Sequence, residues 1–172
     1  MHRSVIKILL TLLVLATGAG IAGCNRSEEA VQRSGKPDYL WVPEVDTDMD
    51  KAVAEARRTF PQFLSALQSP AANQGAFAVK VAFVEGKAVE HIWLGDVRYD
   101  GKLIHGLVGN DPVNVKDVKL NDQASVAPSA ISDWMFVQDG MLMGGHTIRL
   151  LYSRASPQEQ HRLKAQAPFR ME

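Results

Sequence analysis

Cysteine is almost missing from this chain, with Cys24 alone among 172 residues. That excludes an internal disulfide framework and a thiolate zinc site. An excess of one charge is missing too. The 19 Lys and Arg residues are matched by 19 Asp and Glu, so no basic stripe offers itself to phosphates, which argues against nucleic acid as a partner. Internal repeats and low-complexity blocks are absent. So are the short signatures of chemistry: there is no HExxH, no pair of histidines on a helix face and no nucleophile elbow around Ser132. What remains is the ordinary composition of a globular protein, long enough to close one core.

The first 24 residues stand apart. His2, Arg3 and Lys7 precede an apolar run from Ile8 to Ala16, and small residues follow, ending Ile21-Ala22-Gly23-Cys24. A positive start, a short apolar span and a small-residue exit describe a secretory signal, too short for a comfortable membrane helix. Its last four residues match the bacterial lipobox. The expectation is a lipoprotein signal over residues 1–23, with Cys24 lipidated and serving as the mature N-terminus. Each buried methylene contributes about 0.8 kcal/mol, so a multiply acylated Cys24 would anchor the chain stably in a membrane. Asn25, not Asp, follows the Cys, which resembles the sorting pattern for the outer membrane of a Gram-negative envelope. Loss of Arg3 and Lys7 with the signal leaves the mature chain slightly acidic.

Residues 24–46 read as a tether, because Asn25 to Asp38 is polar with little to bury. Tyr39-Leu40-Trp41-Val42-Pro43 breaks the pattern, either as an edge strand or docking arm, or as an exposed partner-binding motif.

The globular domain is expected over residues 47–165, with 166–172 as a tail. Thr47 or Asp48 is expected to cap a helix on which Met49, Val53, Ala56, Phe60, Phe63, Leu64 and Leu67 recur at helical spacing. Pro61 is expected to kink or restart it. From Ala76 the period changes to two: Phe77, Val79, Val81 and Phe83 alternate with Ala78, Lys80 and Ala82, the pattern of a strand with one buried face. Glu85-Gly86-Lys87 turns into a central strand, Val89-Glu90-His91-Ile92-Trp93-Leu94-Gly95-Asp96-Val97. Strict alternation puts Val89, His91, Trp93, Gly95 and Val97 on one side, and Glu90, Ile92, Leu94 and Asp96 on the other. Asp100-Gly101 is expected to make a tight hairpin returning through residues 103–109. Further strands are expected over residues 113–118 (weak), 122–127 and 131–137. Residues 145–152 fit either helix or strand, with helix preferred because Ser156-Pro157-Gln158-Glu159 opens another helix with a capping box. The fold class is α+β: an N-terminal helix kinked at Pro61, packed on a twisted antiparallel sheet of about five strands, with a C-terminal helical segment.

Several motifs in this order, Glu90-His91-Ile92-Trp93-Leu94, Asn110-Asp111-Pro112, Ile131-Ser132-Asp133-Trp134-Met135, Asp139-Gly140 and Gly144-Gly145-His146-Thr147-Ile148-Arg149, resemble the YegJ-like family of uncharacterised bacterial proteins. The resemblance covers about residues 47–165. It implies a small α+β domain, often carried on lipoproteins, and brings no activity and no catalytic residue.

The residues themselves offer His91, His105 and His146 with Glu90, Asp96, Asp111 and Asp133 as a list suited to a metal or to acid–base work. Their spacing points to no metal, and no cofactor is expected. Gly144 and Gly145 ahead of a helix, with His146 and Arg149 following, are candidates for holding an anion at a helix N-terminus, against a tight turn packed on the sheet. Two functions follow. The favoured one is a non-catalytic envelope module binding a ligand or a partner protein. The alternative is a small hydrolytic or metal-dependent enzyme in which Glu90, His91, Asp133 and His146 converge.

Overall fold

The structure, a computed structural model, describes residues 46–171. The signal-like segment, Cys24, the tether and the aromatic run at 39–43 lie outside the described residues.

Helix α1 (Thr47–Gln68) starts one residue earlier than expected. Asp46, in extended conformation, is the cap, and its carboxylate accepts from the Asp48 and Met49 amides at 3.1 and 3.0 Å. The helix runs through Pro61 without ending or restarting. Proline there removes the amide that would reach the Arg57 carbonyl, a loss offset by the burial of neighbouring Phe60 and Phe63, about 2 kcal/mol for each ring.

The sheet has six strands: β1 (Gln74–Glu85), β2 (Ala88–Tyr99), β3 (Ile104–Val108), β4 (Gln123–Val126), β5 (Ile131–Gln138) and β6 (Met141–Gly144). Every pairing is antiparallel, in the order β4-β3-β2-β1-β5-β6, which puts β2 inside the sheet. One expectation is corrected here, and one strand is added to those expected. Residues 113–118 form no strand, because their amides turn to carboxylates on β1 and β2. Residues 141–144 do form one, across a two-residue turn in which Asp139 and Gly140 both have positive φ, the geometry that a twisted hairpin favours. The loop after β2 is also longer than a tight turn. It spans residues 100–103 and is held by Asp100, whose carboxylate accepts from the Lys102 and Leu103 amides.

Each sheet face carries its own apolar cluster. On one, Ala56, Phe60 and Phe63 of α1 meet Val79, Val81, Ile92, Leu94, Ile104, Val108, Ile131, Trp134 and Phe136. The Trp134 indole there donates to the Ala56 carbonyl at 2.8 Å. On the other face, Ala78, Met135 and Leu142 pack with Phe169 and Met171, and Trp93, Ile148, Tyr152 and Leu163 border them. Residues 167–171 therefore belong to the folded unit and are not a loose tail.

The alternation of β2 breaks at Asp96, which takes a positive φ at a register shift between Gly95 and Arg98. An extra residue reverses the parity of everything after it. Val97 accordingly joins Ile92 and Leu94 on the α1 side and not His91 and Trp93.

After β6 come α2 (His146–Arg154) and α3 (Pro157–Gln166). Helix, not strand, is thus the state of residues 146–154. Ser156 and Glu159 close the capping box of α3, and Arg154 at the end of α2 forks onto Asp46, tying the two helices together. That guanidinium, with the Met49 amide, holds the Asp46 carboxyl well below the usual range.

Candidate functional site

Glu90 and His91 are adjacent in sequence and leave opposite sides of β2. Glu90, paired with Phe83, points to the α1 side and is buried. Its carboxylate accepts from the Val113 amide at 2.9 and 3.0 Å and from Asn114 at 2.8 Å, with Val115 at 3.4 Å. Glu85 does the same for the amides of Lys116 and Asp117. Two carboxylates thus satisfy the backbone of a loop that pairs with no strand.

His91 sits on the other face, with one side of its ring covered and the rest exposed. Its Nδ1 is 3.0 Å from the Ser132 hydroxyl, and that hydroxyl donates to the Lys80 carbonyl at 3.1 Å. With the serine proton committed to a carbonyl, Nδ1 carries the hydrogen that reaches Ser132 Oγ. Burial lowers the imidazole pKa, and the charges of Lys80 and Arg57 lower it further, so His91 presents a neutral ring with an Nε2 lone pair.

Asp133 is completely buried, next to Lys80 across the β1–β5 pairing. It accepts from the His146 amide at 3.1 Å, from the Thr147 amide at 2.8 Å and from the Thr147 hydroxyl at 2.6 Å. The N-cap of α2 is Gly145, which has no side chain to offer. A carboxylate from β5 therefore does the capping, and helix polarity favours a negative charge there. The anion expected at Gly144-Gly145 is thus present as part of the chain itself.

The flanking residues serve the same junction. A Cβ on Gly144 would fall 2.4 Å from the Trp134 carbonyl oxygen, and one on Gly145 would fall 2.8 Å from Leu142 Cδ2. The Gly145 amide donates to that Trp134 carbonyl at 2.8 Å. Arg149 turns back to donate to the carbonyls of Gly144 and Leu142. His146 reaches α1, where its Nε2 lies 3.1 Å from the Thr59 hydroxyl, and its ring meets the edge of Trp134. Thr59 itself donates to the Glu55 carbonyl, so Nε2 is the donor in the His146 contact.

Sequence reasoning passed over Lys80. Its amine donates to the Thr147 hydroxyl at 3.3 Å and lies 5.9 Å from the centre of the Trp93 ring. Burial lowers its pKa, while neighbouring Asp133 pushes the other way. A single Lys alternating with two alanines reads as a solvated position, and only the pairing partners on β2 and β5 reveal otherwise.

The remaining candidates lie apart from this cluster. Asp96 occupies the β2 bulge, and Asp111 lies in the loop that Glu90 holds. His105 bridges Asp100 and Ser125, with each contact at 2.7 Å. Among the described residues no three His, Cys, Asp or Glu side chains are grouped to hold a metal ion.

A family profile described as an uncharacterized protein conserved in bacteria (DUF2314) matches residues 46–170, almost the whole described fold. The chain belongs to the DUF2314 family. A relative in Escherichia coli K12, the uncharacterized protein YegJ, is 31% identical over 117 residues, covering 68% of this chain and 75% of that protein. In Neisseria meningitidis serogroup B, a protein whose name describes ankyrin repeats is 32% identical over 134 residues, or 73% of this chain. The matched region spans only 53% of that relative, so the chain covers about half its length. No solved structure matches the chain.

Proposed function

We propose that this chain is a lipid-anchored protein of the bacterial envelope whose DUF2314 domain binds a ligand or a partner protein through the open end of the sheet face opposite α1, with no catalysis by Glu90, His91, Asp133 and His146. The observation that carries the reading is the β1–β2 hairpin. Val84 and Val89 pair across it at 67% and 55% exposure, beside exposed Ala82 and His91 on the same face. Paired β-branched side chains left in water are a surface awaiting a cover. Support for the anchor comes from the sequence ending Ile21-Ala22-Gly23-Cys24, and from Asn25 for the outer membrane.

The engagement of Glu90, Asp133 and His146 in holding a loop, a helix start and a helix pair argues against the enzyme alternative. General acid–base catalysis needs such groups within reach of one substrate, and Glu90 and His91 leave opposite faces.

Two experiments test the proposal. In cells fed an alkyne fatty acid, the chain takes up label and the Cys24→Ser variant does not; equal labelling of both removes the anchor. A photo-crosslinker at Val89 gives a defined adduct in the intact envelope that a Val84→Asp change abolishes, while one at exposed Ser153 gives none. The same adducts from both positions remove the binding face.

A further inference from the structure

Asp100, His105 and Ser125 form one hydrogen-bonded line at the far side of the sheet, away from the hairpin. His105 Nε2 lies 2.7 Å from Asp100 Oδ2, and Nδ1 lies 2.7 Å from Ser125 Oγ. Each member is fixed by ordinary backbone geometry. Asp100 is pinned by the amides of Lys102 and Leu103. His105 and Ser125 are direct partners across the β3–β4 pairing, and Arg98 faces His105 from β2. Arg98, His105 and Ser125 therefore make one row on one face. Ser125 is exposed and His105 half-buried, so a substrate reaches the hydroxyl from solvent.

The order of groups sets the direction of proton flow. Hydrogen bonds from the Leu103 amide, His105 and the Lys102 amide hold the Asp100 carboxyl far below the usual range, so it is ionised. An ionised carboxylate can only accept, which puts the imidazole proton on Nε2 and leaves the Nδ1 lone pair for the serine hydroxyl. Carboxylate, oriented imidazole and serine are the parts of an activated nucleophile, recognised by geometry and not by chain order. Here the ring is used through the opposite nitrogens from the usual arrangement.

We propose that Ser125 is a nucleophile toward carboxylic esters, with His105 as its base and Asp100 as the positioning residue that fixes the His105 tautomer. Ser125 Oγ forms a bond to the acyl carbon while its proton passes to His105 Nδ1. The ester C–O bond breaks, and the departing alkoxide takes the proton from Nδ1. Water deprotonated by the same nitrogen then cleaves the acyl-serine, releasing the acid and restoring the hydroxyl. This site lies on the same sheet face as Val84 and Val89 but away from their hairpin, and it is independent of that reading.

A fluorophosphonate tests the reactivity directly, because Ser125 Oγ displaces fluoride from phosphorus by the same proton transfer. With the purified full chain, peptide mass spectrometry is expected to find Ser125 labelled on the order of 10²-fold faster than exposed Ser153, the scale of general-base assistance. His105→Gln, which keeps a hydrogen-bonding side chain, is expected to bring Ser125 down to the Ser153 rate with an unchanged melting curve. Asp100→Asn is expected to slow labelling while the ¹⁵N shifts of the His105 ring report a mixed tautomer. Ser125 labelled no faster than Ser153, or labelled at a rate that His105→Gln leaves unchanged, overturns the proposal.

Discussion

Asp133 and Thr147 meet twice, through the threonine amide at 2.8 Å and its hydroxyl at 2.6 Å. Both residues are buried, so neither bond has water as a substitute. The start of α2 is set by a strand residue and not by its own cap. Asp133→Ala is therefore expected to destabilise the fold by about 3 kcal/mol, more than the ~1 kcal/mol of an exposed cap. Urea unfolding measures it, and a loss under about 1 kcal/mol would show that the junction holds without the carboxylate.

Glu90 makes a more local prediction. Its carboxylate accepts from the amides of residues 113–115 while β2 keeps its pairing through the backbone. Glu90→Ala should speed hydrogen exchange at Val113, Asn114 and Val115 and leave the amides of Ile92 and Leu94 protected. Uniform acceleration across the sheet would mean that Glu90 supports the whole domain.

His91 carries a pH dependence. Its folded pKa is depressed, first by burial and then by Lys80 and Arg57, against an unfolded value of about 6.5. Below that value the unfolded chain binds a proton that the folded chain resists. The contribution is therefore complete above about pH 6.5 and is lost as pH falls from there through the folded pKa. Melting temperatures between pH 8 and 5 should fall more steeply for the wild type than for His91→Gln. An NMR titration of Lys80→Met should show the His91 pKa moving up, with burial keeping it below the unfolded value. A wild-type titration at or above that value contradicts the assignment.

Two glycines separate space from conformation. Gly144 and Gly140 both have positive φ. An added Cβ at Gly144 meets the Trp134 backbone at 2.4 Å, whereas at Gly140 the nearest atom is Arg170 Nη2 at 4.0 Å. Gly140→Ala is expected to cost about 1 kcal/mol, the scale of left-handed strain alone. Gly144→Ala should cost several times that in chemical denaturation. Equal losses would mean that the turn relaxes away from Trp134.

The apolar periods made most of the architecture legible. Phe77, Val79, Val81 and Phe83 reach the α1 side as their alternation requires, and Ala56, Phe60 and Phe63 line the helix face that meets them. The capping box at Ser156 and Glu159 was equally readable, because its partners are three residues apart. The sequence offers Glu90 and Asp133 as candidates for a metal or acid–base work, and their structural roles are not legible in it. Their partners are backbone amides 23 and 13 residues away, and an amide leaves no mark in the sequence. The same blindness made residues 113–118 read as a strand. Val113, Val115 and Val118 suit one, yet the amides of residues 113–117 are already taken by two carboxylates. Asp96 was unreadable for another reason: a single left-handed residue reverses parity without changing the hydrophobic pattern on either side of it. The line of Asp100, His105 and Ser125 joins three elements through a loop and a register, neither of which spacing encodes.

The last residues of the described fold have one more consequence. Arg170 lies parallel to Met141, accepts from the Leu142 amide at 2.9 Å and donates its own to Gly140 at 2.8 Å. Arg170 thus seals the outer rim of β6, leaving the four residues of β4 as the opposite end of the sheet. An open sheet usually has two sticky rims, and a protein with two can stack without limit. With one rim closed, any strand-to-strand addition would be confined to β4 and would stop at two copies. Arg170 acts at β6 as a terminator of strand addition.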